Sequence, residues 1–598
     1  MEKTYRNNFR GYFLFYYRIA GNSVLVFLLL SMLISLLDGI GLAMFIPLLQ
    51  TVADPADKTM AGSNITRYFT DLIHWAGMPL NVTSILLAMV LLFWGKGLVR
   101  YLQMRYYARL RQLFIRKVRL SLVDSLQALP YSGFLSFDSG EIHHTLTVDV
   151  QRLFQTMKFY FDAAQSSVML LTYMLLAFVS NFHFAVLVAI GAGLSNLLYR
   201  RIYKVTKKAS VELSGKGSDF NGFINQATLY FKYLKSTNSF ERYTKKLNTV
   251  IVETEQINRR IGNMNAITTA VKEPLIIVVV SLVILLQVNF MGASLTSILL
   301  SLLLFYRALN FLVTLQNNWQ GFIENIGGMN AVALMMGKMQ SLREQQGDRS
   351  FTGFNAGISL QDVSLAYQEK KVLRNINLFI PVKKTIALVG ESGAGKTTLA
   401  NVLAGLVQPD SGQVLIDDIP LTSYNLDSYR RRVGYISQET VIFNDTIFNN
   451  ITFWDEPSPE NRKRFFEVIK MTSLTQLVEA HPQKEAGILG DNGILISGGQ
   501  KQRISIAREL YRNTDILIFD EATSSLDSQT EKIIQENMEN LYGRFTMVLI
   551  AHRLSTIRKA DVIYLIENGE VVASGTFSEM LESSIRFRKL VSLQTFAL

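Results

Sequence analysis

The sequence predicts two unlike domains in tandem: an all-α domain of six membrane-crossing helices over residues 1–344, then an α/β domain built around a phosphate-binding loop over 345–598. Three observations carry this: long uncharged apolar runs in the first part, a charge split that follows them, and a strand–loop–helix glycine motif in the second. The 598 residues are 49% hydrophobic and only 18% charged, against ~25% charged in soluble domains, and the mean hydropathy is +0.20. The absence of cysteine excludes a disulfide framework, thiolate metal sites and a cysteine nucleophile. Residues 1–344 hold 33 Lys and Arg against 18 Asp and Glu, net +15; the rest hold 27 against 30, net −3. The basic part is also the apolar part, so a pI near 9.4 reads as membrane topology and not as nucleic-acid binding.

The first uncharged run extends from Ile19 to Leu37, with Asp38 alone before Asp54; the others are Leu72–Gly95, Ala163–Tyr199 and Pro274–Tyr306. A helix crosses ~30 Å of hydrocarbon with ~20 residues. The last two runs are about 37 and 33 residues long, so each fits two crossings, with tips at Ser180–Asn181 and Asn289–Gly292. The expected spans are therefore 20–53, 79–105, 159–180, 183–204, 268–289 and 293–318. Arg6, Arg10 and Arg18 precede the first span, Arg105 to Arg119 follow the second, and Arg200 to Lys208 follow the fourth. These clusters put the N-terminus in the cytoplasm. The polar segments 106–158 and 205–267 read as cytosolic extensions of the membrane helices. Within them, Pro130–Glu141 and Gly215–Asn225 break the helical pattern and are expected to turn.

In the second part, the strand-like Lys384–Val389 runs into Gly390-Glu391-Ser392-Gly393-Ala394-Gly395-Lys396-Thr397, and a helix-like segment opens at Thr398. This is the phosphate-binding loop in its required context. Its glycines let backbone N–H groups approach phosphates, and the helix N-terminus adds partial positive charge. Lys396 is expected on the β and γ phosphates and the Thr397 hydroxyl on Mg²⁺. Downstream, the buried-strand pattern Ile516–Phe519 ends in Asp520-Glu521, where carboxylates face the ligand crevice of an open α/β sheet. Asp520 is expected to hold Mg²⁺ through water and Glu521 to act as general base on the attacking water.

Between these lies Ile496-Ser497-Gly498-Gly499-Gln500, which resembles the signature motif of ATP-binding cassette (ABC) proteins, with Ile496 where the family usually has Leu. The resemblance implies a half-size ABC exporter: a type I exporter (type IV ABC) membrane domain followed by a P-loop nucleotide-binding domain with an α-helical subdomain. It implies that Tyr367 stacks on adenine and that Gln438 links Mg²⁺ and water to the membrane domain. It implies too that Asp491 stands where exporters carry Glu, that the Ser524–Asp527 loop reaches the opposing cassette, and that His552 contacts the γ-phosphate. In this family one cassette's phosphate loop faces the other's signature motif, so a second copy, or a related half-transporter, is expected. ATP and Mg²⁺ are the expected cofactors.

The run from Asp38 to Leu49 resembles exporters that flip lipid-linked oligosaccharides in bacteria. It favours a lipid or lipid-linked glycan flippase of the inner membrane; a multidrug or peptide exporter, or a cassette acting as sensor or gate, are the alternatives. Arg307 lies about a dozen residues into the sixth span, and an intramembrane charge marks a functional site by default. Lys96 and Arg100, one helical turn apart, are the other candidates to receive an anionic headgroup; as positive-inside anchors they would have no such role. Asp38 differs from Arg307 in apparent depth and is not expected to pair with it.

Overall fold

Hydrocarbon tolerates only backbones that satisfy their own hydrogen bonds, and every described element over residues 9–341 is a helix. The computed structural model describes residues 8–45, 48, 82–180, 182–291, 295–367, 370–521, 528–550 and 557–595. They form two compact units, Met1–Leu129 with Gly133–Arg343, and Pro130–Ser132 with Glu344–Leu598.

In the first unit, Asn8 caps α1 (Phe9–Ala20) by accepting the Gly11 N–H at 2.7 Å, and Gly21 ends the helix at φ +61°. Along α2 (Ser23–Ala43), the Ser31 and Ser35 hydroxyls each donate to a carbonyl one turn back at 2.9 Å, so hydroxyls sit in an apolar helix already satisfied. Besides a single helical turn at Tyr131–Phe134, the remaining helices are α3 (Val82–Gln127), α4 (Ser139–His144), α5 (Val150–Ser180), α6 (Phe182–Leu229), α7 (Phe231–Ser236), α8 (Phe240–Met291) and α9 (Leu295–Ser341). Among the described residues, Ser23–Gly41 and α3 are long and apolar enough to cross a membrane. The other expected spans lie along α5, α6, α8 and α9. At 1.5 Å per residue, the 46 residues of α3 make roughly 70 Å of helix, more than twice a ~30 Å hydrocarbon core.

Pro130 lies in the break between α3 and α4, but the second expected turn is displaced. Residues 215–225 are helical within α6, and the chain breaks at Tyr230, ahead of α7. Of the glycines that suggested this turn, Gly217 serves close approach instead, while Gly215 faces open space. A Cβ at Gly217 would fall 2.3 Å from His144 Cε1, and a Cβ at Gly140 would fall 2.4 Å from the Gly222 nitrogen.

The core of this unit is aromatic: Tyr16, Tyr160, Phe161 and Phe322 are fully buried, with the Tyr160 and Phe161 rings edge-to-face at 5.3 Å. The Tyr16 hydroxyl donates to Thr156 Oγ1 at 2.8 Å, which removes the penalty of burying it. Where α9 meets α6, the Gly327 N–H donates to Ser210 Oγ at 2.9 Å.

The second unit carries β1 (Gly357–Tyr367), β2 (Lys370–Pro381), β3 (Thr385–Val389), β4 (Ser411–Ile416), β5 (Ile419–Pro420), β6 (Val433–Ile436), β7 (Ile516–Asp520), β8 (Thr546–Ile550), β9 (Val562–Glu567) and β10 (Glu570–Gly575). An antiparallel sheet has the order β2-β1-β4-β5; a second sheet, β10-β9-β3-β8-β7-β6, is parallel except for β10. Every residue of β3, β7 and β8 is buried, which is why these strands read as unbroken apolar runs. Helix α10 (Lys396–Leu403) follows β3, and its Leu399 packs in the core with Ile386 and Leu388. Helices α11 (Ile447–Thr452), α12 (Pro459–Met471) and α13 (Gly498–Tyr511) gather around a separate core containing Ile447, Phe465, Ile504 and Tyr511. The carboxyl ends of β3, β6 and β7 share one edge of the parallel sheet, and the loops that leave them build the site.

A Cβ at Gly327 would lie 2.0 Å from the Ser210 carbonyl oxygen, so α9 and α6 approach there only because no side chain intervenes. Gly327→Ala is expected to destabilise the membrane unit by about 1–3 kcal/mol, read as a lowered midpoint in thermal unfolding of the detergent-solubilised protein. An unchanged midpoint would show that the two helices do not need this contact.

Candidate functional site

The loop after β3 curls around its own lysine. Gly393 and Gly395 adopt φ of +82° and +104°, a region open to glycine at no steric cost. At Gly390 a Cβ would meet the Ile566 carbonyl oxygen at 2.1 Å. Lys396, the first residue of α10, is buried, and its Nζ donates to the Gly390 and Glu391 carbonyls at 2.9 Å each. Burial pulls its pKa down, opposed by the Glu521 and Asp520 carboxylates. The next residue, Thr397, donates its hydroxyl to Asp520 Oδ1 at 3.3 Å.

Asp520 ends β7 and is buried; its other oxygen accepts from the Tyr435 hydroxyl of β6 at 3.0 Å. Burial raises its pKa, and the bonds from Tyr435 and Thr397 oppose the rise. Glu521 follows with φ +49°, in the left-handed region that a residue with a Cβ enters only at a cost of roughly 1 kcal/mol or more. Its N–H donates to the Ile550 carbonyl at 3.2 Å, and its Oε2 accepts from Gln438 Nε2 at 3.0 Å. Phosphate loop, Thr397, Asp520, Glu521 and Gln438 thus converge on one sheet edge. Tyr367, at the end of β1, is hydrogen-bonded to Thr398 in the first turn of α10.

The Ser497–Gln500 turn lies apart from this group. Ser497 caps α13: its hydroxyl accepts the Gln500 N–H at 3.3 Å, and Gln500 Oε1 accepts the Ser497 N–H at 2.9 Å. Gly498 and Gly499 form the first turn, with two helix N–H groups left pointing outward. Among the described residues no hydrogen bond joins this turn to the phosphate loop. Asp491 opens a single 3₁₀ turn ahead of it. Asp527 and His552 lie outside the described residues.

Residues 24–314 match the family described as ABC transporter transmembrane region, and residues 373–524 match the one described as ABC transporter. The chain is 30% identical to the heterocyst differentiation ATP-binding protein HepA of Nostoc sp., over 94% of this chain and 92% of that protein. The chain belongs to the ABC transporter family. It is 28% identical to an ATP-dependent lipid A-core flippase of Coxiella burnetii, covering 84% of this chain and 86% of that one. Its fold matches that of a bacterial Atm1-family ABC exporter solved with ATP bound, with a TM-score of 0.76 at 21% identity, over 97% of this chain and 98% of that one. This is the half-transporter exporter fold, and the transporter is an ATPase whose hydrolysis drives movement across a membrane.

In the transporter's membrane unit, Lys96, Arg100 and Arg307 line one cavity of about 520 Å³, together with Asp38, Lys158 and Asp162. Lys96 is in direct ion-pair contact with Asp38, whose other oxygen accepts from the Tyr173 hydroxyl at 2.9 Å. Lys96 is therefore committed to a partner on α2, whereas Arg100 and Arg307 bring positive charge to the cavity wall. The sequence marks these three cations as candidates but does not show that Asp38 neutralises Lys96. The signal was available in principle: an acid buried in one apolar run calls for a base in another. Nor does the sequence show Tyr435 as a partner of Asp520.

The Asp38 side chain is only 7% exposed and that of Lys96 22%, so removing one charge strands the other. Asp38→Ala is expected to cost about 3–5 kcal/mol, seen as a large fall in the thermal midpoint, while Asp38→Ala with Lys96→Met recovers most of it. Equal losses in the single and double variants would mean that the pair contributes nothing as a pair.

Proposed function

We propose that the transporter works as a homodimer in the bacterial inner membrane and flips a lipid or lipid-linked glycan that carries an anionic headgroup. The observation that carries this reading is the cavity lined by four cations, Lys96, Arg100, Lys158 and Arg307, against two acids, Asp38 and Asp162, with Asp38 already paired to Lys96. Guanidinium groups bind phosphate oxygens through paired N–H donors. The likeness to a relative named as a lipid A-core flippase supports it too.

In this reading ATP lies between one copy's phosphate loop and the other copy's Ser497–Gln500 turn. Tyr367 offers a ring face to adenine, and the N–H groups of Gly390, Glu391, Ser392, Gly393, Ala394, Gly395, Thr397 and Thr398 line the phosphates. Lys396 exchanges its loop carbonyls for phosphate oxygens. The Thr397 hydroxyl and the Asp520 carboxylate, already hydrogen-bonded to each other, are the hard oxygen donors that suit Mg²⁺; Mg²⁺, once bound, screens the phosphate charge. Glu521 takes the proton of the attacking water while Gln438 orients its carboxylate. Ser497, Gly498, Gly499 and Gln500 of the second copy, with Asp527 and His552, complete the enclosure. Pairing of the cassettes around two ATP molecules then drives rigid-body rearrangement of the membrane helices.

Glu521→Gln keeps the bond to Gln438 possible but removes the base. That variant is expected to bind ATP with unchanged affinity and to lose steady-state hydrolysis by at least a hundredfold; appreciable turnover would defeat the assignment. In liposomes, polyprenyl-linked sugars or anionic glycolipids are expected to stimulate the ATPase, and Arg307→Ala to abolish that stimulation while basal hydrolysis persists. Stimulation by uncharged amphiphiles or peptides alone, or full stimulation of Arg307→Ala, would refute the headgroup site.

A further inference from the structure

A carboxylate with no exposed surface lies outside the ATP site and outside the cavity. Asp149 is 0% exposed and closes a π-helical turn, Thr145–Asp149, that joins α4 to α5. Such turns are rare and mark places where a helix departs from its regular ladder. The Ser214 hydroxyl of α6 lies 2.9 Å from both carboxylate oxygens. The two other polar groups near Oδ1 stop short of hydrogen-bond reach: Arg152 Nη1 at 3.7 Å and His144 Nε2 at 3.8 Å. An ionised carboxylate normally takes several donors, so this one is under-solvated.

The neighbours are occupied elsewhere. Arg152 Nη2 donates to Ser210 Oγ of α6 and to the Glu324 carbonyl of α9, each at 3.0 Å. Ser210 in turn donates to the same carbonyl at 2.6 Å. Asn221 Nδ2 donates to the Gly217 carbonyl at 3.0 Å and meets His144 Nδ1 at 2.8 Å. The amide is thus oriented as donor on both contacts, which puts the histidine proton on Nε2, facing Asp149; that Nε2 has no hydrogen-bond partner. From α9, Gly328 leaves the space beside Asp149 in which a Cβ would lie 3.2 Å from Oδ1. Glu141 and His143 of α4 are the remaining charged or titratable groups near the cluster. The Glu324 carboxyl is turned to Asn265 and Gln320.

We propose that Asp149 is a positioning residue that takes up a proton from solvent when the cytosolic ends of α5, α6 and α9 pack as they do here, and releases it when they part, so that acid locks this packing. The proton adds to a carboxylate oxygen, and the new O–H donates within the cluster where an anion lacked donors. Burial lifts the Asp149 carboxyl to about 6, against the pull of Ser214 and Arg152 and with a small push from Glu141. Burial, with Arg152 and His143, holds His144 down to about 4, so the imidazole stays neutral while Asp149 titrates. The packed arrangement has the raised value and the parted one the ordinary value of 3.8. Packing is therefore favoured progressively as pH falls through about 6, by a factor on the order of a hundred once both arrangements are protonated.

The test is hydrogen–deuterium exchange of peptides spanning residues 140–152 in the intact transporter in nanodiscs, at pH 7.5 and 5.5, corrected for the intrinsic effect of pH. The wild type is expected to gain about fourfold protection on acidification over this interval. Asp149→Asn, a neutral isostere, is expected to be protected equally at both pH values. An unchanged pH response in Asp149→Asn, or none in the wild type, overturns the proposal. Should Asp149→Asn fail to fold, Ser214→Ala serves instead: it removes the bond that favours the carboxylate, so the midpoint of protection moves to higher pH, and an unmoved midpoint overturns the proposal. His144→Gln is expected to keep the wild-type midpoint; its loss would assign the proton to the imidazole and contradict the proposal.

Discussion

The ATPase site depends on a loop wrapped around an ammonium group. Lys396 is anchored to the carbonyls of the first two loop residues, and the Ala394 N–H closes the loop on the Glu391 carbonyl at 3.2 Å. That curl is possible only because Gly390 lies against the Ile566 carbonyl and Gly393 and Gly395 adopt positive φ. The neighbouring strand end supplies the counter-charge: Asp520 is fixed by Thr397 and Tyr435, and Glu521 by an unusual backbone and by Gln438. A cation and two anions are thereby held in place on one sheet edge, and fixed charges of this kind are how electrostatic catalysis avoids reorganisation cost.

The membrane unit solves the same problem, charge away from water, by different means. Asp38 is met by Lys96 and Tyr173, and serines fold back on their own helices. Arg100 and Arg307 line the cavity with Lys158 and Asp162, which leaves it net positive. Beyond the expected spans, where α4 meets α5, a third solution appears, a carboxylate held with too few donors, and this under-solvation makes Asp149 sensitive to protons.

Much of this was legible in the sequence because it is local. The phosphate loop needs contiguous glycines, the buried strands need unbroken apolar runs, and membrane helices need length; each leaves a pattern in consecutive residues. What the sequence could not convey depends on separation in space. Gly217 looked like a turn residue because a glycine needed for close approach to another helix is the same letter as one needed for positive φ. Asp38 and Lys96 are 58 positions apart, and nothing in either run specifies that their helices neighbour each other. Tyr435 adjoins a motif without belonging to it, and Asp149 lies in a segment that reads as ordinary polar helix.

In the function proposed above, the ATP site is completed only by a second copy, with the Ser497–Gln500 turn of one chain over the phosphate loop of the other. The native chain contains no cysteine, so a pair introduced as Ser392→Cys and Ser497→Cys is the only thiol pair present. Oxidation of this variant in nanodiscs with ATP, followed by denaturing electrophoresis, measures the contact directly. The account expects a covalent dimer that forms with ATP and is sharply reduced without it; a chain that stays monomeric under ATP would contradict it.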